Sequence, residues 1–276
     1  ASVGSGVTDV LINARVSEIE AKSARNLMNL NHALYSFAYA GAALLSGVLR
    51  DAGVSPPVIF AGLAMGLFGL AYAARDVCPN IEDDTNADGA VVPHTLVIMA
   101  GLVVLVAFMA EASSEGWSAL HLERTLGGTP GEGAMGPALL GLTMGIGRLS
   151  GHGLARFMRD TTLMLIATLV SACGLIVAGL ADSVPMALAG FALGGVGISV
   201  VAPLALALVG RIAPPAARLA AISRASVLGY GAFFFGPPLM GLVAQGFGLR
   251  AAFVVVALLL SVTALILIPA LARRAG

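Results

Sequence analysis

Residues 93–122 read PHTLVIMAGLVVLVAFMAEASSEGWSALHL. From Leu96 to Ala110 no side chain carries a charge, and no turn signal interrupts the run before or after its two glutamates. A stretch so long, with no period-two alternation, reads as one helix able to cross a bilayer core of about 30 Å rather than as a barrel strand. The whole chain has the same character. Of its 276 residues 58% are hydrophobic and 11% charged, and mean hydropathy is +0.94. That is too much apolar surface and too little charge for a soluble globule. The fold expected is an all-α, polytopic helical bundle spanning a lipid bilayer.

Seven more windows have the length and composition of spans: 27–49, 56–75, 134–157, 161–181, 185–210, 222–245 and 250–271. Residues 1–14 form a ninth, but at about 1.5 Å per residue they reach only about 21 Å, so a helix missing its outer turns is expected there. If residues 15–26 are cytoplasmic, Arg15, Lys22, Arg25, Arg75, Arg148, Arg156, Arg159, Arg211, Arg218, Arg224, Arg273 and Arg274 lie on that side. Only Arg50, Arg124 and Arg250 lie outside. This positive-inside bias orients the chain to start outside and end inside. Nine crossings that begin in mid-helix point to further spans upstream.

Composition also excludes several classes. Net charge is zero and Lys22 is the single lysine, so nothing favours nucleic acid, and no G-x-x-x-x-G-K-[ST] phosphate loop can be written. Transport driven by ATP on this chain alone is not expected. Cys78 and Cys173 form neither a disulfide framework nor a zinc pattern, and the N-terminus lacks the organisation of a signal peptide. The longest polar connection is 76–92, DVCPNIEDDTNADGAVV, in which Asp84, Asn86, Asp88 and Gly89 match the first half of a calcium loop. Its twelfth position is Thr95 instead of the required glutamate. A solvated linker is expected, with no metal and no cofactor.

Polar residues within the spans are the functional candidates. Asp9 and Asn13, in DVLINA, are four apart and share a helix face. An ionised acid at mid-bilayer costs about 2.5 to 3.5 kcal/mol on insertion scales, so such a residue faces a bundle interior or a watery cavity. Asn29, His32 and Ser36 fall on one helical face, with Tyr35 and Tyr39 beside it. This stripe lines either a solute path or a helix contact, and His32 either meets solute or is a hydrogen-bonded structural histidine. Glu111 lies toward the outer half of its span, with Glu115 and Trp117 nearer the outer interface. Trp117 is either a member of an aromatic belt or an aromatic wall beside a carboxylate. Arg148, in GIGRLSGHGLARF, reads as an inner-interface anchor or a gating residue. Tyr230 and Phe233 to Phe235 sit among glycines before Pro237 and Pro238. Those prolines, with Pro203, are expected to kink or break helices. The pairs Gly62/Gly66, Gly141/Gly145, Gly147/Gly151 and Gly190/Gly194 are expected at close helix contacts.

Taken together these motifs resemble the major facilitator superfamily, and within it a bacterial branch related to proton-coupled fucose and hexose permeases. DVLINA is similar to the acid-x-x-x-Asn motif of helix 4 in that branch, and NLNHALYSFA, 29–38, to the N-L-x-[QH]-x-x-x-S-F-[AG] motif of helix 5. EASSEGWSALHL resembles helix 7, GRLSGHGLARF the turn between helices 8 and 9, and LGYGAFFFGPPLMG helix 11. Two departures stand out: His152 and Gly153 replace the Asp and Arg of the helix 8 to 9 turn, and His32 stands where sugar permeases often have an amide.

The resemblance implies twelve helices in two six-helix halves. Residues 1–75 would be the last three helices of the first half, 76–92 the cytoplasmic linker and 93–276 the second half. It also implies a secondary active transporter of the bacterial cytoplasmic membrane, working as a monomer by alternating access around a midplane site. The expected partners are protons and a small-molecule solute, a sugar or similar polar compound. Asp9 and Glu111 would couple protons; Asn13, Asn29, His32, Ser36, Trp117 and Tyr230 would bind solute; Arg148 would gate. The alternatives are proton-driven efflux of drugs or metabolites, and a binding or assembly protein that no longer transports. No nucleophile with a partnered base stands out in the spans, so enzyme activity is not expected.

Overall fold

The computed structural model describes residues 28–73, 94–154, 157–214 and 217–275, together with isolated positions between 12 and 19. Asp9, Asn13, the 76–92 linker, and the Asp and Arg replacements' side chains at 152 and 153 lie outside what it describes. All described elements are helical: α1 (Met28–Asp51), α2 (Pro56–Ala73), α3 (His94–Leu120), α4 (Pro130–Leu154), α5 (Asp160–Leu180), α6 (Val184–Ile198), α7 (Val201–Ile212), α8 (Arg218–Val262) and α9 (Ile268–Ala275). Among the described residues five helices are long and apolar enough to cross a membrane: Leu30–Asp51, His94–Thr125, Asp160–Leu180, Val184–Ile212 and Ala220–Arg274. Pro56–Tyr72 is a shorter apolar helix. This is a multi-pass membrane protein.

The last of these stretches holds two passes. Its 55 residues would extend about 80 Å if straight. Instead α9 returns to pack against α3, beside which α8 began. The reversal is at Gly248, whose φ of 84° and ψ of 165° interrupt the helix, a conformation that a β-carbon disfavours. The expected break at Pro237 and Pro238 does not occur: helix continues through both. Each proline removes one backbone donor, which a membrane helix tolerates where neighbours and local adjustment satisfy the freed carbonyls.

The predicted 185–210 span is divided at Ser199 and Val200 into α6 and α7. Pro203 explains the position, because its ring crowds the carbonyl four residues earlier. The predicted 134–157 span starts earlier, at Pro130, because a capping box opens it. There Thr129 N donates to Glu132 Oε2 at 2.7 Å, and Glu132 N donates to Thr129 Oγ1 at 3.2 Å. α4 is glycine-rich and carries Glu132 and Arg148. It packs against α1, α3 and α6 and so sits inside the bundle.

Glycine fixes the tightest contacts. A β-carbon at Gly174 would lie 2.7 Å from the Gly190 carbonyl oxygen, and one at Gly190 would lie 2.7 Å from the Gly174 oxygen, so the backbones of α5 and α6 touch. On the α1–α4 seam, β-carbons at Gly141 and Gly145 would meet the Ser36 carbonyl at 3.0 Å and the Phe37 ring at 2.7 Å. Gly62 and Gly66, by contrast, meet nothing within 4 Å among the described residues, so the contact expected there is not seen.

At the C-terminal end of α3, a π-helical turn, His121–Thr125, swings His121 into the core. The ring is fully buried. Its Nε2 donates to the Ala178 carbonyl at 3.0 Å, and it packs edge-on to Phe191 and Phe253. Four helices, α3, α5, α6 and α8, meet there. Ion pairs mark the two ends of α5: Arg211 binds Asp160, and Arg250 binds Asp182 at 3.0 Å. Arg211, counted as cytoplasmic, and Arg250, counted as external, thus sit at opposite ends of one helix.

Candidate functional site

The α1–α4 seam is antiparallel, so Arg148, late in α4, comes opposite the early turns of α1. Its Nη1 donates to Ser36 Oγ and, at 3.5 Å, to the His32 carbonyl oxygen. Ser36 is buried and donates its own proton to that same carbonyl at 3.0 Å. Nη2 of Arg148 donates to Glu111 Oε1 on α3 at 3.1 Å. The two side chains are 13% and 14% exposed, so this pair is largely shielded, and removing either partner would leave an uncompensated buried charge. One guanidinium therefore joins three helices. The Arg148 side chain turns into the bundle and ends on an acid.

The same face of α3 continues with further members. Glu115, one turn beyond Glu111, interacts electrostatically with Glu111 and Arg148, and Tyr39 on α1 interacts with both acids. One turn before Glu111, Phe108 stacks on Tyr230 of α8, with ring centroids 5.8 Å apart and planes at 13°. Phe233 packs against both, at 5.7 and 6.3 Å. An aromatic wall thus adjoins the charged junction.

The expected site residues separate into three groups. His32, through its carbonyl, Ser36, Glu111 and Arg148 come together, and Tyr230 reaches the same helix face through Phe108. Trp117 does not join them: it packs against the core, near Gly241 of α8. At about 100° per residue, six residues put it well around the helix from Glu111. Asn29 lies in the first turn of α1, its side chain outside the described set, as are Asp9 and Asn13. Phe108 was not among the expected residues, and Glu115 was noted beside Glu111 without a role, although spacings of three and four from Glu111 place all three on one face. A cavity of about 400 Å³ opens elsewhere between α3 and α8, lined by His94, Ile98, Leu105, Arg224, Leu228 and Phe235. It is mostly apolar and separate from the junction.

A second set of contacts ties α1 to the π turn and to α4, at the end that the charge count places outside. Arg50 donates to both oxygens of Glu123, at 2.7 and 3.0 Å. Next to it, Asp51 Oδ1 accepts from the Gly131 N–H at 2.8 Å, a carboxylate at the positive end of α4. Arg50 is 35% and Glu123 23% exposed, so the pair contributes about 0–1 kcal/mol after solvent screening. Arg50→Ala is expected to shift the thermal midpoint only slightly, and Arg50→Glu combined with Glu123→Arg is expected to restore it. Melting curves of the three proteins check this.

The sequence pattern of the Major Facilitator Superfamily matches residues 100–275. Relatives include an uncharacterized MFS-type transporter of Yersinia pestis, 32% identical over 92% of this chain and 66% of its own length. An uncharacterized transporter, y4wD, of Sinorhizobium fredii is 29% identical over 95% of this chain and 70% of its own length. Membrane protein MosC of Rhizobium meliloti is 26% identical over 90% of this chain and 60% of its own length. The chain thus spans roughly two-thirds of the curated relatives that it matches. Since the matching pattern covers well over half of its residues and the fold is a helical membrane bundle, the chain belongs to the Major Facilitator Superfamily.

Proposed function

We propose that this protein is a proton-coupled secondary transporter of the bacterial cytoplasmic membrane, taking up a sugar or a similar small polar solute by alternating access. Residues 1–75 and 93–276 are the parts that rock against each other, joined by 76–92. The observation that carries the reading is the junction of Arg148 with Glu111, Ser36 and the His32 carbonyl. It binds α1, in one part, to α3 and α4, in the other. Charged groups inside a membrane bundle are costly, and they recur along ion and solute pathways. A junction across two moving parts is a natural gate, with Arg148 as its key.

In this reading Asp9 and Glu111 belong to the coupling machinery, Glu111 as the counter-charge of Arg148. Asn13, Asn29, His32 and Ser36 hold solute from one part. Tyr230 holds it from the other by presenting an aromatic face to its apolar side. The test is uptake of labelled fucose and glucose by the full-length protein in proteoliposomes. Accumulation is expected when the outside is acidic and is expected to collapse with an uncoupler. Asp9→Asn is expected to abolish accumulation above equilibrium, and an unchanged Asp9→Asn would refute its coupling role. Accumulation driven only in the opposite direction would instead establish efflux.

A further inference from the structure

The junction contains two acids and one arginine. Glu111 is committed to Arg148 at 3.1 Å. Glu115, on the same face of α3, has no hydrogen bond or ion pair among the described residues and is only half-buried. Around it stand Glu111 on its own helix, Arg148 from α4, and Tyr39 from α1 with Tyr35 nearby. Arg148 uses Nη1 for Ser36 and His32 and one Nη2 proton for Glu111. A guanidinium carries five N–H groups, so donors remain for a second acid.

The charge balance distinguishes the two carboxyls. With Glu115 protonated, the Glu111–Arg148 pair is neutral, and Arg148 is free to hold Ser36 and the His32 carbonyl. With Glu115 ionised, two carboxylates compete for one guanidinium, and the cleft carries a net negative charge. Protonating Glu111 instead would strip Arg148 of its partner in a shielded site, the costlier change.

We propose that Glu115 carries the exchanged proton, and that its ionisation draws Arg148 toward Glu115 and off Ser36 and the His32 carbonyl, releasing α4 from α1. This deepens the proton-coupled reading above and rests on it. The only bond made or broken is the carboxyl O–H. Its proton passes to water on the side to which the cleft is open and is regained from water on the other. Glu111 acts as a positioning residue, since it keeps Arg148 in reach of both arrangements.

Two measurements on the full-length protein in lipid test the assignment without any solute. Infrared difference spectra across a pH step report protonated carboxyls. A titrating carboxyl component is expected in the wild type, is expected to disappear in Glu115→Gln, and is expected to move to lower pH in Glu111→Gln, where Arg148 is left to Glu115. Spin labels at Leu34→Cys and Leu149→Cys, exposed positions on α1 and α4, with Cys78 and Cys173 replaced by serine, report the seam. Their separation is expected to widen as pH rises in the wild type and to stay at its low-pH value in Glu115→Gln. Glu115→Asp keeps the acid, serves as the folding control and is expected to retain both responses. A carboxyl signal left undiminished by Glu115→Gln, or a seam that still responds to pH in that variant, overturns the proposal. Failure of wild-type sugar accumulation, with both responses intact, would refute the transport reading and leave the proton site standing.

Discussion

Arg148→Ala is expected to abolish transport by the full-length protein and to destabilise the bundle by about 3–5 kcal/mol, the cost of leaving a buried partner charge alone. The size of the effect follows from the geometry. Without the guanidinium, Glu111 loses its 3.1 Å partner at 14% exposure, and Ser36 and the His32 carbonyl lose the donor that ties α1 to α4. Arg148→Lys keeps the charge without the fork, since a single ammonium cannot hold an acid on one side and a hydroxyl on the other in the same planar arrangement. It is expected to preserve much of the stability and little of the activity. Arg148→Ala combined with Glu111→Gln removes both charges and is expected to regain stability but not transport. Thermal unfolding in detergent, run beside the uptake assay, separates the two effects.

The second large effect is structural. Gly174→Val is expected to prevent α5 and α6 from closing, because even the first added carbon would lie 2.7 Å from the Gly190 carbonyl oxygen. Overpacking of ordinary cores costs about 1–3 kcal/mol. Here the obstacle is backbone and has no rotamer through which to yield, so the cost is expected at or above the top of that range. The fraction of protein that elutes as a single species after extraction should fall sharply. Gly246→Ala, at a position with nothing within 4 Å among the described residues, is the matched control and is expected to behave as wild type.

Hydropathy made the helices legible, because covering about 30 Å of hydrocarbon leaves little freedom in segment length. Their ends were set by local chemistry. Thr129 and Glu132 form a capping box that could have been read from T-P-G-E. The reversal at Gly248 falls between the expected spans 222–245 and 250–271, whereas the break expected at Pro237 and Pro238 is absent. A proline's effect on a helix depends on what its neighbours supply, and the sequence does not carry that information. The site was legible in its parts. His32 and Ser36 were found by helical spacing, and Glu111 by its cost in lipid. That Arg148 would reach Glu111, 37 residues away, depends on how α4 lies against α1 and α3, which no local pattern encodes. Trp117 lies apart for a simpler reason: it follows Glu111 closely in the chain but not on the helix surface.

The seam between α1 and α4 is fastened at two points, by Ser36 and Arg148 near one end and by Asp51 on Gly131 at the other, where Arg50 also holds the neighbouring π turn. Ser36 and Arg50 are about 21 Å apart along the helix, and the stretch between them is smooth, with Gly141 and Gly145 against the backbone and a ring. A slide of one helical turn, about 5.4 Å, would break both fastenings at once and gain nothing between them. Tilting breaks one while the other holds. The seam therefore behaves as a rocker with fixed register, in which either end can lift while the glycine-lined middle serves as its fulcrum.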